Sequence, residues 1–515
     1  MNWLHTWLGL AISSILFAIF WMGSLSVFDQ EIDKWMIPEL RHTSGAVSLD
    51  TQVMPILEKA DIKRGSEVWI YTPKERAPVG AIYYEATSGA SHEHAFGLNS
   101  GDVFSPTDSL AGSGFIFPFH YSLHISWHGL GYWIVGFAAI AMLLLISSGL
   151  VLHRKIFSDF FTFRPHKKLR RSTLDLHNLA SVIALPFHVV FPLTGLLIMA
   201  SVYFSWPTSV PFQGDTQKMA AEFGGYEAMR IPLKGEPASA LVSLDSLTES
   251  AERIWAQQYP DSGLIVETIS IYNFSDANAY VIAESWAPKR RVAIGPYLIR
   301  FDALTGEKTG SFQPAPIKNA SNWLEGVHWM QFEHWPLKWL LFFAGLSGCV
   351  MIGSGLQFWI QARTLRNNPN SIDTMVVRAI GVGSITGIIV ATEIFLIANR
   401  MIPSHLSLEA IDRHELEVWS FFMAWALTFL HAVCRGRRAW EDQCWMISLL
   451  GLLAVLLNWL TTQDHLIKTL TKPLWPIAGM DLVILAGVAI ASSAAFRLNL
   501  ANMDGQIQFS DHRAS

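Results

Sequence analysis

The hydrophobic pattern of the chain consists of long apolar runs separated by polar connections. An α-helix needs about 20 consecutive apolar residues to cross the hydrocarbon core of a bilayer. Eight runs of about this length lie at 3–28, 127–152, 178–204, 336–361, 375–398, 415–434, 443–462 and 475–497. The pattern therefore predicts a mainly α-helical, polytopic membrane protein with about eight transmembrane helices. The first run is longer than the apolar core of a signal peptide, so we expect it to be retained as a helix.

Two longer polar insertions interrupt this series, at 29–119 and 205–335. In the second insertion, the amphipathic periodicity of 244–259 predicts a helix that ends before Pro260. Strand-like runs follow that helix at 264–272, 279–284 and 297–312. The first insertion has the same order, with a helix at 49–60 and strands at 68–71 and 81–86. We therefore expect two small α+β modules, and their shared order favours a duplicated unit.

The distribution of basic residues predicts the orientation in the membrane. The connection 153–171 contains seven Lys and Arg residues and one acid, and the connections 363–366 and 435–438 are also basic. Basic loops stay on the cytoplasmic side, so we expect both termini there and the two insertions in the periplasm. The chain then divides into 1–28, 29–119, 120–204, 205–335, 336–365, a four-helix module at 375–497 and a cytoplasmic tail at 498–515. This is the plan of a multi-pass protein of the bacterial inner membrane.

Composition excludes several classes of function. Only 15% of the residues are charged, whereas soluble domains carry about a quarter. The net charge of −5 gives no support for a nucleic-acid partner. The three cysteines lie in or beside apolar runs, so no disulfide framework is expected in the insertions. No Cys-x-x-Cys-His motif is present, which excludes covalent c-type haem by that motif.

Histidines gather at the ends of the apolar runs. Neutral imidazole is a standard axial ligand of haem iron, and a bundle of helices can supply two such ligands from facing positions. The predicted topology sorts these histidines by depth, with His5, His153 and His177 on the cytoplasmic side and His120, His124, His128, His328 and His334 on the outer side. Two clusters at opposite faces suit two b-type haems that relay electrons across the membrane.

His188 lies inside the third run and is the deepest of these candidates. On one continuous helix, His177 and His188 would share a face and lie about 16 Å apart along the axis. An ionisable residue in the middle of a membrane is functional by default. His188 therefore joins the candidate ligands.

Structural readings compete with haem ligation at each histidine. Interfacial histidines can simply lie at the lipid headgroups, and this reading is as good as the functional one for His128, His153, His166 and His334. His120 and His124 are four residues apart, which is also zinc-ligand spacing on a helix, although no cysteine or carboxylate completes such a site.

Several motifs resemble one known family, the PepSY-associated transmembrane helix proteins, which include inner-membrane ferric-siderophore reductases. The resemblance covers about residues 1–365, and the outer insertions resemble PepSY modules. The motifs are HTWLGL at 5–10, FHYSLH at 119–124, GLVLHRK at 149–155, FFTFRP at 160–165, LDLHN at 174–178, LPFH at 185–188, FDALTGE at 301–307 and VH at 327–328, which leads into 345–356.

The resemblance implies haem b, about two per chain, held by helix histidines. The family's motif histidines correspond to His5, His124, His177 and His328, and His188, His120 and His153 also match. From the topology we pair His5 with His177 on the cytoplasmic side and His124 with His328 on the periplasmic side. The resemblance also implies outward electron transfer to ferric iron bound by a siderophore or other chelate. A cytoplasmic reductase or membrane quinol would donate the electrons.

Residues 375–497 lie beyond this resemblance. They carry Glu393, Asn458 and Asp481 within apolar runs, and His405, His414, His431 and His465 near the ends of those runs. These polar residues can be packing and interfacial groups. The alternative is a quinone site, a proton site or a third haem.

Three functions remain open from the sequence. The first is a haem-containing oxidoreductase that reduces ferric iron at the periplasmic face, where Trp255, Trp286 and Trp323 could contact a bulky chelate. The second is a membrane-anchored PepSY protein that binds or restrains an exported peptidase or ligand without redox activity. The third is a metal or siderophore permease in which Glu393 and Asp481 relay protons.

Overall fold

The computed structural model forms two compact units. One comprises Met1–Pro38, Pro106–Pro192 and Leu340–Ser515, and the other comprises Glu39–Ser105 and Leu193–Trp339. We call the first the helical unit and the second the sheet unit. The structure describes residues 2–511 except 42–47, 75, 98–108, 153–163, 165–168, 205–209, 211, 216–217, 219–224, 227–228, 239, 287–291, 313–315, 331–333, 365–370, 404–405, 407–410 and 473.

Helices dominate the described residues. The α-helices are α1 Asn2–Ser26, α2 Asp29–Met36, α3 Leu49–Gln52, α4 Met54–Lys59, α5 Phe117–Ser122, α6 Leu130–Leu152, α7 Leu169–Ile183, α8 Leu185–Ile198, α9 Ala200–Tyr203, α10 Leu244–Gln258, α11 Pro316–Trp329, α12 Trp335–Thr364, α13 Ile372–Val382, α14 Ile388–Met401, α15 Arg413–Arg435, α16 Ala439–Thr462, α17 Leu466–Thr471 and α18 Trp475–Asp511. The strands are β1 Val68–Tyr71, β2 Gly80–Glu85, β3 Ser91–Phe96, β4 Thr268–Tyr272, β5 Tyr280–Ser285, β6 Tyr297–Asp302 and β7 Lys308–Phe312.

Six helical stretches of the described chain are long and apolar enough to cross a membrane, and a bent pair brings the number to seven. One stretch, Arg413–Thr462, has 50 residues and would be about 75 Å long as a straight helix, more than twice the thickness of a bilayer core. It consists of α15 and α16, which are joined at Gly436 and both pack against α14. The prediction of a mainly α-helical, polytopic membrane protein is therefore confirmed.

The third predicted run is not one straight helix. α7 and α8 meet at an angle of 66°. Pro186 lies in the first turn of α8, where it has no N–H to donate to the carbonyl of Val182 and its ring crowds that carbonyl. The axial distance that we calculated for His177 and His188 on one continuous helix is therefore wrong.

The helical unit contains more of the chain than the apolar runs. Ile32 and Trp35 of α2, and Phe115 and Phe119 just before α6, are buried in its core. Oδ1 of Asp33 accepts hydrogen bonds from two backbone N–H groups, at 2.8 and 2.9 Å, in the π-helical turn that contains Phe115. Parts of the predicted first insertion thus pack with the transmembrane helices.

In the sheet unit, the strands of both insertions form one antiparallel sheet. The strand order is β3-β2-β1-β4-β5-β6-β7, and β1 of the first insertion pairs with β4 of the second. The single sheet corrects the prediction of two separate modules, and β3 is a strand that the sequence pattern does not predict. Helix α10 packs on the sheet through Leu247, Ala251 and Trp255, so Trp255 is a core residue and not a contact surface. Trp286 and Trp323 keep 36% and 52% of their surface exposed.

The N-termini of α3 and α10 cap each other. Oδ1 of Asp245 accepts the N–H of Leu49 at 2.7 Å, and Oδ1 of Asp50 accepts the N–H of Leu244 at 2.7 Å. The hydroxyl groups of Ser48 and Ser243 donate to the same two carboxylates. The repeated Ser-Leu-Asp sequence and the pairing of β1 with β4 relate the two halves of the sheet unit by an approximate twofold axis, which supports the predicted duplication.

Substitution of either cap should loosen the opposite helix. Asp50→Ala removes the acceptor for the first N–H of α10, which costs about 1–2 kcal/mol, so amide exchange in α10 should accelerate by roughly 5- to 30-fold. Hydrogen exchange with mass spectrometry on the full chain measures this. Glu249→Ala changes an exposed carboxylate on α10 and should leave the exchange rate unchanged. Unchanged exchange in Asp50→Ala would show that the reciprocal cap contributes nothing.

Candidate functional site

A cavity of about 710 Å³ opens inside the helical unit, between α1, α6, α7, α8 and α12. Ligand and cofactor sites are typically about 300–1,000 Å³. His5, His177 and His188 line this cavity, together with apolar residues that include Leu10, Met142, Leu145, Ile352 and Leu356. The cavity therefore brings together three of the histidines that the sequence analysis selected.

Both His5 and His177 are held through Nδ1. Nδ1 of His177 lies 2.8 Å from the carbonyl oxygen of Met351, and Nδ1 of His5 lies 3.1 Å from that of Leu145 and 3.0 Å from Oγ of Ser148. A carbonyl oxygen cannot donate, so Nδ1 carries the proton in each ring. A neutral imidazole then has its lone pair on Nε2, the atom that binds a metal. Metal-ligating histidines are commonly oriented in this way.

The rings of His5 and His177 lie close together at this cavity. Their centroids are 6.4 Å apart and their planes make an angle of 80°. With the proton on Nδ1, Nε2 of each ring carries the lone pair that a metal ion would take, and imidazole is a standard ligand of haem iron. The pair and the cavity therefore provide the ligand type and the space that a b-type haem would need.

A glycine accompanies each of these histidine–carbonyl bonds. Gly149 and Gly355 lie four residues after Leu145 and Met351, whose carbonyls accept the bonds. A Cβ atom on Gly355 would lie 2.9 Å from Nδ1 of His177, and one on Gly149 would lie 3.3 Å from Cε1 of His5. Side chains in a helix lean toward its N-terminus, so glycine at this position uncovers the carbonyl of the preceding turn. The ring then reaches the second lone pair of that oxygen.

His120 repeats this arrangement. Its Nδ1 lies 2.9 Å from the carbonyl oxygen of Ile19 in α1, and a Cβ atom on Gly23, four residues later, would lie 2.5 Å from the same nitrogen. His124 follows the end of α5 and has a left-handed backbone conformation, with φ of 56°. Its ring packs edge-on against Phe115. His120 and His124 therefore do not lie on one continuous helix, as the zinc alternative requires, and no group of three or more potential ligands that could hold a metal ion is found among the described residues.

His328 belongs to the sheet unit. It lies near the end of α11, and its Nδ1 is 2.8 Å from the hydroxyl oxygen of Thr194. A Cβ atom on Gly195 would lie 3.2 Å from its ring. The pairing of His124 with His328 stays a prediction, and His153 lies outside the described residues.

His188 is completely buried, and it differs from the other cavity histidines in its surroundings. Within the described part of the chain neither ring nitrogen has a hydrogen-bond partner, and the nearby carbonyl of Ala344 lies outside hydrogen-bond geometry. The ring packs edge-on against Phe20 at a centroid distance of 6.0 Å. A buried imidazole without hydrogen bonds is costly, so His188 is a third candidate for contact with a ligand of this cavity.

Other histidines have structural partners. Nδ1 of His334 and of His465 accept N–H groups at the beginnings of α12 and α17. His431 lies beside Gln443 and Asp442. These contacts support a structural reading for the three residues.

The sequence analysis counted Arg170 only among the charges of the basic connection. It lines the cavity at the start of α7, and its guanidinium lies over the ring of Phe358 at 5.2 Å. The structure pairs Arg164 and Arg171 with Asp175, whereas it shows no carboxylate partner for Arg170 among the described residues. The run of similar basic residues gave no signal to distinguish Arg170.

Comparison with known proteins assigns the family. The model of the PepSY-associated TM region matches residues 2–362. The chain therefore belongs to the PepSY-associated TM family. The match ends within α12, so α13–α18 lie outside it. A similar protein in Pseudomonas aeruginosa, described as uncharacterized protein PA4219, is 24% identical over 298 residues, which is 56% of this chain and 72% of that protein.

Proposed function

We propose that this protein transfers electrons across the bacterial inner membrane through b-type haem and reduces ferric iron at the periplasmic face. The observation that carries the proposal is the 6.4 Å separation of the His5 and His177 rings across a cavity of cofactor size. When bound, haem b would supply one-electron exchange between ferric and ferrous iron. About two haems per chain are proposed, with His124 and His328 as the ligands of the periplasmic one.

The residues of the cavity would position the cofactor and set its environment. The carbonyls of Leu145 and Met351 fix the tautomer and orientation of His5 and His177, and a hydrogen bond donated by Nδ1–H makes an imidazole a stronger ligand through Nε2. The apolar residues of the lining would lower the polarity around the cofactor, which is one of the ways a protein tunes a reduction potential. His188 would lie next to the cofactor or replace one ligand.

Arg170 would bind the acidic edge of the ligand. A guanidinium on a cavity wall attracts carboxylates, and haem carries two propionates. Phe358 supports the flat face of the guanidinium and leaves its edge for hydrogen bonds.

The direction of electron transfer follows from the proposed orientation. The basic connection 153–171 supports an orientation with His5, His177 and Arg170 at the cytoplasmic side and the sheet unit in the periplasm. The donor is then a cytoplasmic reductase or a quinol, and the acceptor is a ferric siderophore or similar chelate. The partly exposed Trp286 and Trp323 of the sheet unit offer aromatic surface to such a chelate. Reduction weakens the hold of oxygen ligands on iron, which would release the metal.

Loss of one axial ligand should remove one haem. His177→Ala takes away an imidazole that no other group at the same depth is certain to replace, so the haem-to-protein ratio should fall from about two to about one. His328→Ala should remove the other haem, and either change should stop transmembrane reduction. Pyridine haemochrome analysis of the purified variants measures the ratio. If His188→Ala loses a haem and His177→Ala loses none, the cytoplasmic pair has been assigned wrongly.

Two glycines on α12 provide a matched test of the geometry. An added methyl group at Gly355 displaces the ring of His177, whereas one at Gly353 would make ordinary contacts of 3.5–3.6 Å. Gly355→Ala should therefore lower haem retention at the cytoplasmic site several-fold, and Gly353→Ala should retain it. Equal retention in the two variants, measured by the Soret absorbance per protein after purification, would contradict the role of Gly355.

A further inference from the structure

The C-terminal helices contain two groups of polar contacts, one toward each end of a single seam. The seam lies where α14, with the π-helical turn Gly383–Gly387 before it, packs against α16. At one end, Oγ1 of Thr386 donates to Oε1 of Gln443 at 2.7 Å. At the other end, Arg400 donates to Oδ1 of Asn458 at 3.1 Å. Both ends of this seam are therefore polar.

Asp481 of α18 extends the second polar end. Nδ2 of Asn458 donates to Oδ1 of Asp481 at 3.4 Å, and the indole N–H of Trp35 donates to the same oxygen at 2.8 Å. Asn458 and Asp481 are both buried. This cluster connects α14, α16 and α18 with α2.

Glu393 lies halfway between the two polar ends. It lies seven residues before Arg400 on α14, so those two side chains lie on about the same face of the helix, about 10.5 Å apart along its axis. Thr386 lies seven residues before Glu393, in the π-helical turn. Its Oε2 atom is buried and has no hydrogen-bond partner among the residues that the structure describes. Gly451 faces the other oxygen, since a Cβ atom there would lie 3.5 Å from Oε1.

The seam near Glu393 contains apolar side chains and one hydroxyl pair, in which Oγ of Ser492 donates to Oγ of Ser448 at 2.9 Å. Val390, Ile447 and Ala491 form one buried cluster between the three helices. No other charged residue occurs in the sequence of α14 before Arg400, of α16 between Gln443 and Asn458, or of α18 between Asp481 and Arg497. α15, which also packs against α14, has no charged residue between Glu417 and Arg435. Burying a carboxyl group within apolar helices costs free energy. The described residues show no hydrogen bond to Oε2 of Glu393 that would offset this cost.

We propose that Glu393 is the central proton-binding residue of a proton pathway along the seam of α14 and α16. Its carboxylate takes a proton from the Thr386–Gln443 end to become a neutral carboxylic acid. It returns the carboxylate when it releases that proton toward the Arg400–Asn458–Asp481 end. One proton moved outward balances the charge of one electron moved outward. This use of the pathway for charge balance rests on the proposed function, whereas proton movement itself requires no haem.

Proton flux into liposomes tests the pathway with the whole protein. Purified protein is reconstituted with the pH indicator pyranine inside, and a potassium gradient with valinomycin sets the membrane potential. The wild type should change the internal pH at least several-fold faster than protein-free liposomes, and Glu393→Gln should reduce that excess to less than about a tenth. Glu393→Asp keeps a carboxyl group and should retain part of the flux. Glu415→Gln, a change of an exposed carboxylate in α15, should retain all of it.

Each result decides the question. A wild-type flux no greater than that of empty liposomes, or a Glu393→Gln flux equal to that of the wild type, overturns the proposal. Size-exclusion profiles and thermal unfolding of Glu393→Gln establish that the variant is folded. The absorption spectrum of the same samples reports haem separately, so failure of the proton pathway and failure of the proposed function are distinguishable.

Discussion

The hydrogen bond from a histidine Nδ1 to a helix carbonyl is the interaction on which the candidate site depends. A carbonyl in the middle of a helix already accepts one bond, and it has a second lone pair for a ring that can approach closely. A glycine four residues after the residue whose carbonyl accepts the bond allows that approach. These glycines are Gly149 for His5, Gly355 for His177 and Gly23 for His120. Each bond satisfies a polar side chain away from water, where an unmade bond costs about 1–3 kcal/mol, and it leaves the lone pair of the ring on Nε2.

Sequence patterns predicted the elements well and their long-range contacts poorly. The apolar runs, β1 and the hairpin of β6 and β7 follow from local periodicity, which depends only on neighbouring residues. The sheet that joins the two insertions could not be predicted, because the pairing of β1 with β4 links residues about 200 positions apart. The bend between α7 and α8 could have been predicted from Pro186. Hydropathy alone does not indicate it, because the apolar run is continuous there.

The candidate site shows the same division. The positions of His5, His177 and His188 at or within apolar runs selected them from the sequence, and the cavity brings all three together. Gly149, Gly355 and Arg170 were not selected, because glycines are common in transmembrane helices and Arg170 lies among similar charges. The C-terminal helices add what the family match does not contain, a seam with polar ends and one carboxyl group between them. The proposed outward electron transfer would need a compensating charge, which the proposed proton pathway would supply.

The most direct test of the central claim is electron paramagnetic resonance of the oxidised protein, with and without His5. If His5 and His177 bind one haem iron, the wild type should show a low-spin ferric signal. His5→Ala should abolish that signal or convert it to a high-spin one. A wild type without any low-spin ferric signal, or a His5→Ala variant with an unchanged spectrum, would contradict the account.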